Sequence, residues 1–424
     1  MSKFPEVEAQ LDVIRRGAVD LIRIEELRAK IVKSNQTGKP LRVKLGIDPT
    51  SPDVHLGHSV VIRKLRDFQD LGHLPVLILG DGTALVGDPT GRDTTRPPLT
   101  REKIDENVEG YLSQIGKILD LDRAEIVRNG KWFHEMQFSD VLKLLARGTV
   151  ARMLERDNFT DRMKAGKAIH VHELIYPLMQ GWDSVMVHAD VELGGTDQLF
   201  NLMQGRQMQE EEGQAPQVIL TTPILEGLDG RKMSKSYGNH IGLQFEPKEI
   251  FGKTMSIPDA QLRSWFTLVT RIPKSQIEEL LKEGKNPRDA KIVLAKILIE
   301  ELHTKETADH EAAAFEKQFS KREVPDDIPE IHLTLSPSDA GVDATNPAFK
   351  AELANWSAGK VGFNNFPAFV ARLSGESNSN ARQLMSQKAV DVDGELATDP
   401  KATIWLKNGS VLRVGKRKYF KIKF

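Results

Sequence analysis

Leu41-Arg42-Val43-Lys44-Leu45-Gly46-Ile47-Asp48-Pro49-Thr50-Ser51-Pro52-Asp53-Val54-His55-Leu56-Gly57-His58 is the stretch that sets the fold class. Leu41 to Ile47 reads as a strand. Asp48 to Asp53 is turn chemistry, because Pro presets φ and Asp and Ser side chains bond their own backbone. A helix is predicted from about His58 to Leu71, with Val61, Leu65, Phe68 and Leu71 near helical spacing. Leu74 to Leu79 is a second, fully apolar strand that ends in a glycine-rich loop, Gly80 to Gly91. Strand, turn, helix and strand within about forty residues predict a parallel, Rossmann-like α/β sheet. Ligands of such sheets bind beyond the carboxyl ends of the strands. The turn before His58 and the loop after Leu79 both lie there.

Outward from that unit, residues from about 100 to 185 read as mainly helical, and Gln217 to Thr221 returns to strand. Pro247 to about Phe319 is helical again and poor in glycine. From Ser320 to about Lys360 Asp, Ser, Pro and Gly recur, as in a linker with short ordered pieces. Beyond Val361 a helix-like stretch around Phe366 to Leu373 precedes Asn380 to Met385. A hairpin signal follows, Val390-Asp391-Val392-Asp393-Gly394-Glu395, with Asp-Gly at the turn. The tail from Lys401 to Phe424 carries lysine and arginine but no Asp or Glu. The expected division is a catalytic domain at 1–245 with a helical insertion at about 100–185, a helical domain at 246–320, a linker at 321–360 and a small α+β domain at 361–424.

Composition narrows the class. A chain of 424 residues with 39% apolar and 28% charged content suits a soluble protein of two or three domains. No run of eighteen apolar residues predicts a membrane span, and the acidic, polar N-terminal stretch is unlike a signal peptide. The absence of cysteine excludes disulfides and thiolate metal sites and is compatible with a cytoplasmic protein. With a net charge of −1, any nucleic-acid contact has to come from local basic patches.

Two short motifs carry the chemistry. His55-Leu56-Gly57-His58 sets two imidazoles at the mouth of a helix, whose N–H groups and dipole favour anions. Gly57 leaves room for a flat ring to approach the backbone. About 180 residues later, Lys232-Met233-Ser234-Lys235-Ser236 puts two ammonium groups in a loop of small residues. Serine lets such a loop close over a substrate, and paired lysines suit charge building on a departing pyrophosphate. Either motif alone is weak: isolated, the first is more often two surface histidines and the second an ordinary basic loop. The pair, in this order, points to the triphosphate of ATP.

The pair resembles the HIGH and KMSKS signatures of class I aminoacyl-tRNA synthetases. The middle of the chain, Tyr176-Pro177-Leu178-Met179-Gln180-Gly181-Trp182-Asp183 and Glu192-Leu193-Gly194-Gly195-Thr196-Asp197-Gln198, resembles the bacterial tyrosyl-tRNA synthetases. That resemblance implies roles residue by residue. Tyr176 and Gln180, with Asp88 beside them, would hold the amino group of L-tyrosine, and Asp183 would accept its phenol. Gln198 would meet the substrate carboxylate, and Gly195 and Asp197 the ribose. Asp48 and Thr50 would lie near the amino acid and the phosphates. His55, Gly57, His58, Lys232, Ser234, Lys235 and Ser236 would bind and activate ATP, with Arg92 and Arg96 on the pyrophosphate. Asn129 and Trp132 match a weaker pocket-wall pattern. The sequence departs from many members at Lys44, where a second phenol-contacting tyrosine is usual, and at Leu45, Val61 and Trp182.

The C-terminal stretch resembles an S4-type RNA-binding domain, in which Arg382, Lys416, Arg417 and Lys418 would face phosphates. The resemblance also implies a cytoplasmic homodimer, with the region around Val150 to Lys167 near its interface. Its partner would be tRNA(Tyr), and its substrate ATP, arriving with Mg²⁺, with no metal held by the protein. His170 and His172 lack further ligands for a metal site, and Gly87 to Thr94 lacks the GK[ST] ending of a Walker loop. The rival readings are tryptophanyl-tRNA synthetase, a non-catalytic RNA-binding paralogue, and a small nucleotidyltransferase of the HxGH type.

Overall fold

The computed structural model describes residues 4–50, 53–88, 100–319, 328–333, 353–357, 360–415 and 418–424. It contains two compact units, Met1–Asp309 and His310–Phe424. Arg92, Arg96, Lys416 and Arg417 lie outside the described residues.

The first unit is built on a six-stranded sheet of β1 (Leu21–Ile22), β2 (Arg42–Ile47), β3 (Leu74–Leu79), β4 (Glu125–Arg128), β5 (Val191–Gly195) and β6 (Val218–Thr222). The order across it is β1-β6-β5-β2-β3-β4. The strands from β6 to β4 are parallel, and only the edge strand β1 runs antiparallel. The chain leaves β2 toward β3 and β4, then returns on the other side to β5 and β6. The switch point therefore falls between β2 and β5, and ligands of such sheets bind beyond the strand ends at that point. In register there, Lys44 sits beside Glu192 and Leu45 beside Leu193.

The first helix after β2 runs Leu56–Asp70, two residues earlier than its apolar spacing alone suggests. The reason is an imidazole cap: His55 Nδ1 accepts from Gly57 N–H at 3.1 Å, and His58 Nδ1 from His55 N–H at 3.3 Å. Leu65, Phe68 and Leu71 are buried as the spacing predicts, while Val61 is half-buried. Each fully buried Leu or Phe contributes about 1.5–3 kcal/mol. The region from 100 to 185 is helical apart from β4, which the sequence reading missed. Glu125 and Arg128 give that edge strand no apolar run or alternation to detect. Among the described residues no helix is long and apolar enough to cross a membrane.

The second unit contains β7 (Glu330–His332), β8 (Leu353–Ser357), β9 (Lys360–Phe363), β10 (Val390–Val392), β11 (Glu395–Leu396), β12 (Ile404–Lys407), β13 (Val411–Val414) and β14 (Lys418–Lys423). These form a five-stranded sheet, β11-β10-β13-β14-β7, and a three-stranded one, β12-β9-β8. Two strands thus fall within 321–360. Helices Phe366–Ser374 and Asn378–Ser386 pack with the sheets around Phe363, Phe366 and Phe369. At the β10–β11 turn Asp393 and Gly394 both have positive φ, 50° and 87°. That is the two-residue hairpin geometry Asp-Gly favours.

Candidate active site

The histidine and lysine motifs meet. Leu56 N–H donates to Ile241 O at 2.9 Å and Leu243 N–H to Val54 O at 2.9 Å, which ties the turn before the helix to the chain just after the lysine loop. Gly57 N–H also lies 3.2 Å from Met233 Sδ. A Cβ on Gly57 would stand 2.9 Å from His55 Cε1 and 3.5 Å from Met233 Cβ, so a side chain there would crowd both motifs. The rings of His55 and His58 stack at 3.8 Å. His55 is 7% exposed. Burial first, then His58, His240, Lys235 and Lys232, pushes its pKa down to about 2. It is a neutral imidazole at physiological pH, able to offer a hydrogen bond but no positive charge.

The loop lysines are held by carboxylates: Lys232 Nζ lies 2.8 Å from Asp197 Oδ2 and Lys235 Nζ 3.2 Å from Asp53 Oδ2. Both pairs are at the surface, where ion pairs contribute at most about 1 kcal/mol. An incoming triphosphate can take these ammonium groups at little cost. Ser234 N–H donates to Asn239 Oδ1 at 2.8 Å, and Ser234 Oγ accepts from Ser236 N–H at 3.3 Å, shaping the turn. Thr50 sits in the turn after β2, its N–H donating to Asp48 O at 2.7 Å.

A second cluster lines the crevice between β2 and β5. Tyr176, Gln180 and Asp183 share one face of the helix Tyr176–Met186, as their i, i+4, i+7 spacing predicts. Tyr176 OH donates to Asp48 Oδ2 at 2.8 Å, and Asp48 Oδ1 accepts from Thr83 Oγ1 at 2.7 Å. Burial and the Asp48 carboxylate push the Tyr176 phenol pKa well up. Gln198 Nε2 donates to Asp88 Oδ2 at 2.8 Å. Asn201 Nδ2 donates both to Gln198 Oε1 at 3.0 Å and to Gln180 Oε1 at 2.9 Å. Arg156, 5% exposed, lies 3.8 Å from Asp88. Asn201 and Arg156 were missed in the sequence, where no motif or spacing marks either. At the end of β5, Gly195 passes so close to Asp197 that a Cβ would stand 2.7 Å from its Oδ1.

Asp183 ends the pocket, 3% exposed. Trp132 Nε1 donates to its Oδ1 at 3.0 Å and Asn129 Nδ2 to its Oδ2 at 3.1 Å. Asn129 is held in turn by Gly82 N–H at 2.8 Å. Burial raises the Asp183 pKa to about 7, against the pull of Lys44, Asn129 and Trp132. The two donors leave lone pairs on each oxygen for one further partner. Lys44 does not contact Asp183. Its ammonium is engaged by Gln180 O at 2.8 Å, Ser184 Oγ at 2.7 Å and Glu192 Oε1 at 2.8 Å. Among the described residues no group of three His, Asp or Glu comes together as a metal site.

The family model described as class I tRNA synthetases (W and Y) matches residues 36–320. The chain belongs to this family. It is 48% identical over 424 residues to the tyrosine–tRNA ligase of Symbiobacterium thermophilum, covering 99% of this chain and 98% of that protein. It is 46% identical over 420 residues to that of Thermotoga maritima, covering 98% and 97%. A crystal structure of the tyrosyl-tRNA synthetase of Archaeoglobus fulgidus, complexed with L-tyrosine, superposes with a TM-score of 0.59 at 28% identity. It covers 73% of this chain and 100% of that one. The class I synthetase fold accounts for the parallel sheet, the switch-point crevice and the paired motifs.

In the second unit, Arg382 is exposed. Lys418 is engaged within its own unit: its ammonium donates to Ser374 O and lies 3.1 Å from Glu376 Oε1.

Proposed function

We infer that the chain is a tyrosine–tRNA ligase, which activates L-tyrosine with ATP and transfers it to the 3′ end of tRNA(Tyr). The observation that carries the amino-acid reading is Asp183, a buried carboxylate oriented by Asn129 and Trp132 with lone pairs to spare. It suits a phenol donor, and an analogue without the hydroxyl leaves it unpaired. In enzymes of this same type such rejection reaches about 10⁵-fold, a figure that belongs to the type and is not drawn from these distances.

No protein nucleophile is needed. The tyrosine carboxylate attacks the α-phosphorus of ATP; the new P–O bond forms as the bond to pyrophosphate breaks. Tyr176, Gln180 and Asp88 face the substrate's amino group, and Gln198 its carboxylate. Asp48 and Thr50 border the amino acid and the phosphates. Gly195 and Asp197 receive the ribose, while His55, His58 and the helix start at Gly57 receive the polyphosphate. Lys232 and Lys235, in a loop kept small by Ser234 and Ser236, stabilise the charge that grows on the pyrophosphate, assisted by Arg92 and Arg96. Catalysis is then positioning plus electrostatics. Mg²⁺ enters with ATP as part of the substrate. The terminal ribose hydroxyl of tRNA then attacks the tyrosyl carbonyl and releases AMP.

The same reading makes the protein a cytoplasmic homodimer. Phe138, Val150, Met163 and Val171 leave large apolar groups exposed between 138 and 171, with Phe138 and Val171 over three-quarters exposed. A second copy of this face would cover them. Amino-acid-dependent ATP–pyrophosphate exchange tests the reaction. Exchange with tyrosine alone supports it, exchange with tryptophan overturns the pocket assignment, and none with any amino acid favours an RNA-binding paralogue. Light scattering on the purified protein tests the dimer: a mass near 47 kDa would remove it.

A further inference from the structure

Beneath the amino-acid pocket lies an ion pair that the activation chemistry does not use. Lys44 and Glu192 are register partners on adjacent parallel strands, so their side chains leave the same face of the sheet. Their side chains are 0% and 1% exposed, and the ammonium and carboxylate are 2.8 Å apart. All three protons of Lys44 are spoken for, two of them by the pocket helix through Gln180 O and Ser184 Oγ. Glu192 accepts from Ser184 Oγ at 3.0 Å, from Gln180 Nε2 at 3.3 Å and from Gln217 Nε2. The room for this cluster comes from Gly205 on the neighbouring helix. A Cβ there would stand 2.7 Å from both Ser184 Oγ and Gln217 Nε2.

With every proton of the Lys44 ammonium and both oxygens of Glu192 engaged, the pair has few alternative arrangements. It grips the pocket helix between two of its substrate-facing residues, at the backbone of Gln180 and at the side chain next to Asp183. We propose that the buried Lys44–Glu192 pair is a positioning device that sets selectivity for the tyrosine phenol, holding Gln180 and Asp183 in place from below. It rests on the tyrosine-ligase reading above. Lys44 is also the positive charge that acts on the Asp183 carboxylate. The other titratable groups facing Asp183 are Glu192 from β5 and Tyr176 on its own helix, which in turn faces Asp48 and Asp88. The pull of Lys44 on Asp183 outweighs the push of Glu192.

Pyrophosphate exchange on the full chain, with tyrosine and with phenylalanine, tests the device. The variants are Lys44→Met, the charge-neutral double Lys44→Met with Glu192→Gln, and Ser184→Ala. Absence of exchange by the unmutated protein would refute the ligase reading and the proposal with it, whereas exchange that the variants leave unchanged would refute the proposal alone. The single variant strands Glu192 in the core and is expected to melt well below the unmutated protein. The double variant recovers most of that loss, yet its KM for tyrosine rises tenfold or more while its KM for ATP stays within twofold. Its tyrosine-over-phenylalanine ratio in kcat/KM falls at least tenfold, and the acid limb of its tyrosine profile moves to higher pH. Ser184→Ala, the mildest change, raises the KM for tyrosine about threefold, and it decides the matter if the double variant does not fold. A folded double variant, or failing that a folded Ser184→Ala, with unchanged tyrosine KM and unchanged selectivity would reduce the pair to packing and overturn the proposal.

Discussion

A single carboxylate couples stability to activity in opposite senses. Burial holds the Asp183 pKa near 7, above the roughly 3.9 of an unfolded chain. The folded state therefore binds an extra proton between about pH 4 and pH 7. That contribution is complete below the unfolded pKa and is lost as pH rises through 7. On the proposed phenol role, activity runs the other way, because the ionised carboxylate is the stronger acceptor for the phenol. The kcat/KM for tyrosine should rise with pH to a plateau above about 7, and urea midpoints should fall over the same window. In Asp183→Asn both slopes should flatten; if the unfolding slope persists, another group carries it. Asp183→Ala should also erode discrimination against phenylalanine, and exchange assays with unchanged Tyr/Phe selectivity would withdraw the phenol assignment. Lys235 differs because it sits in the loop opposite the amino-acid pocket residues, paired with Asp53, so tyrosine binding does not rest on it. Lys235→Ala should slow single-turnover activation by about 10²–10³-fold, the usual loss for one transition-state donor. Its tyrosine affinity should stay within about threefold, and equal activation rates would remove its role.

Two adjoining helices make the pocket, and their closeness depends on glycine. Gly181 on the Tyr176–Met186 helix faces Met208 Sδ, 2.9 Å from where its Cβ would stand, and Gly205 on the next helix faces Ser184 and Gln217. Gly205→Ala has to push these helices apart or break the polar cluster, which should cost about 1–3 kcal/mol, as overpacking does. A calorimetric scan should show the lower Tm together with a raised KM for tyrosine, whereas an unchanged Tm would mean that the helices yield freely. None of this closeness was visible in the residues themselves. The strand–turn–helix unit and the hairpin at Asp393-Gly394 were legible because periodicity and turn chemistry are local. The common face of Tyr176, Gln180 and Asp183 followed from helical spacing in the same way, whereas the histidine and lysine motifs spoke only as a pair and through their resemblance to a family's signatures. The partnership of Lys44 with Glu192 depends on the register of two strands almost 150 residues apart, which no local pattern encodes. Asn201 and Arg156 act through the same long-range packing. The edge strand β4 went unread because its four residues, Glu125-Ile126-Val127-Arg128, carry neither alternation nor a sustained apolar run.

At the scale of the molecule, the proposed roles divide by unit. Every described residue assigned to tyrosine and ATP lies in Met1–Asp309, while the second unit has its own core and carries the exposed Arg382. Substitutions on the second unit's surface should therefore separate the two half-reactions. Arg382→Ala should leave pyrophosphate exchange untouched, since that step needs no tRNA. It should raise the KM for tRNA in aminoacylation several-fold at low salt. Each phosphate contact contributes a slope of about −0.7 to −0.9 to log K against log salt, so losing one should make the slope shallower by about that amount. Lys418→Ala is the instructive contrast. Its ammonium already serves Ser374 O and Glu376 at the end of the helix Phe366–Ser374. Removing it should loosen that turn and lower the unit's stability, with a smaller change in salt slope than Arg382→Ala gives. The opposite ranking would mean that Lys418 exchanges Glu376 for a phosphate on binding. In that case the basic tail, rather than the Asn378–Ser386 helix that bears Arg382, would be the main electrostatic contact with RNA.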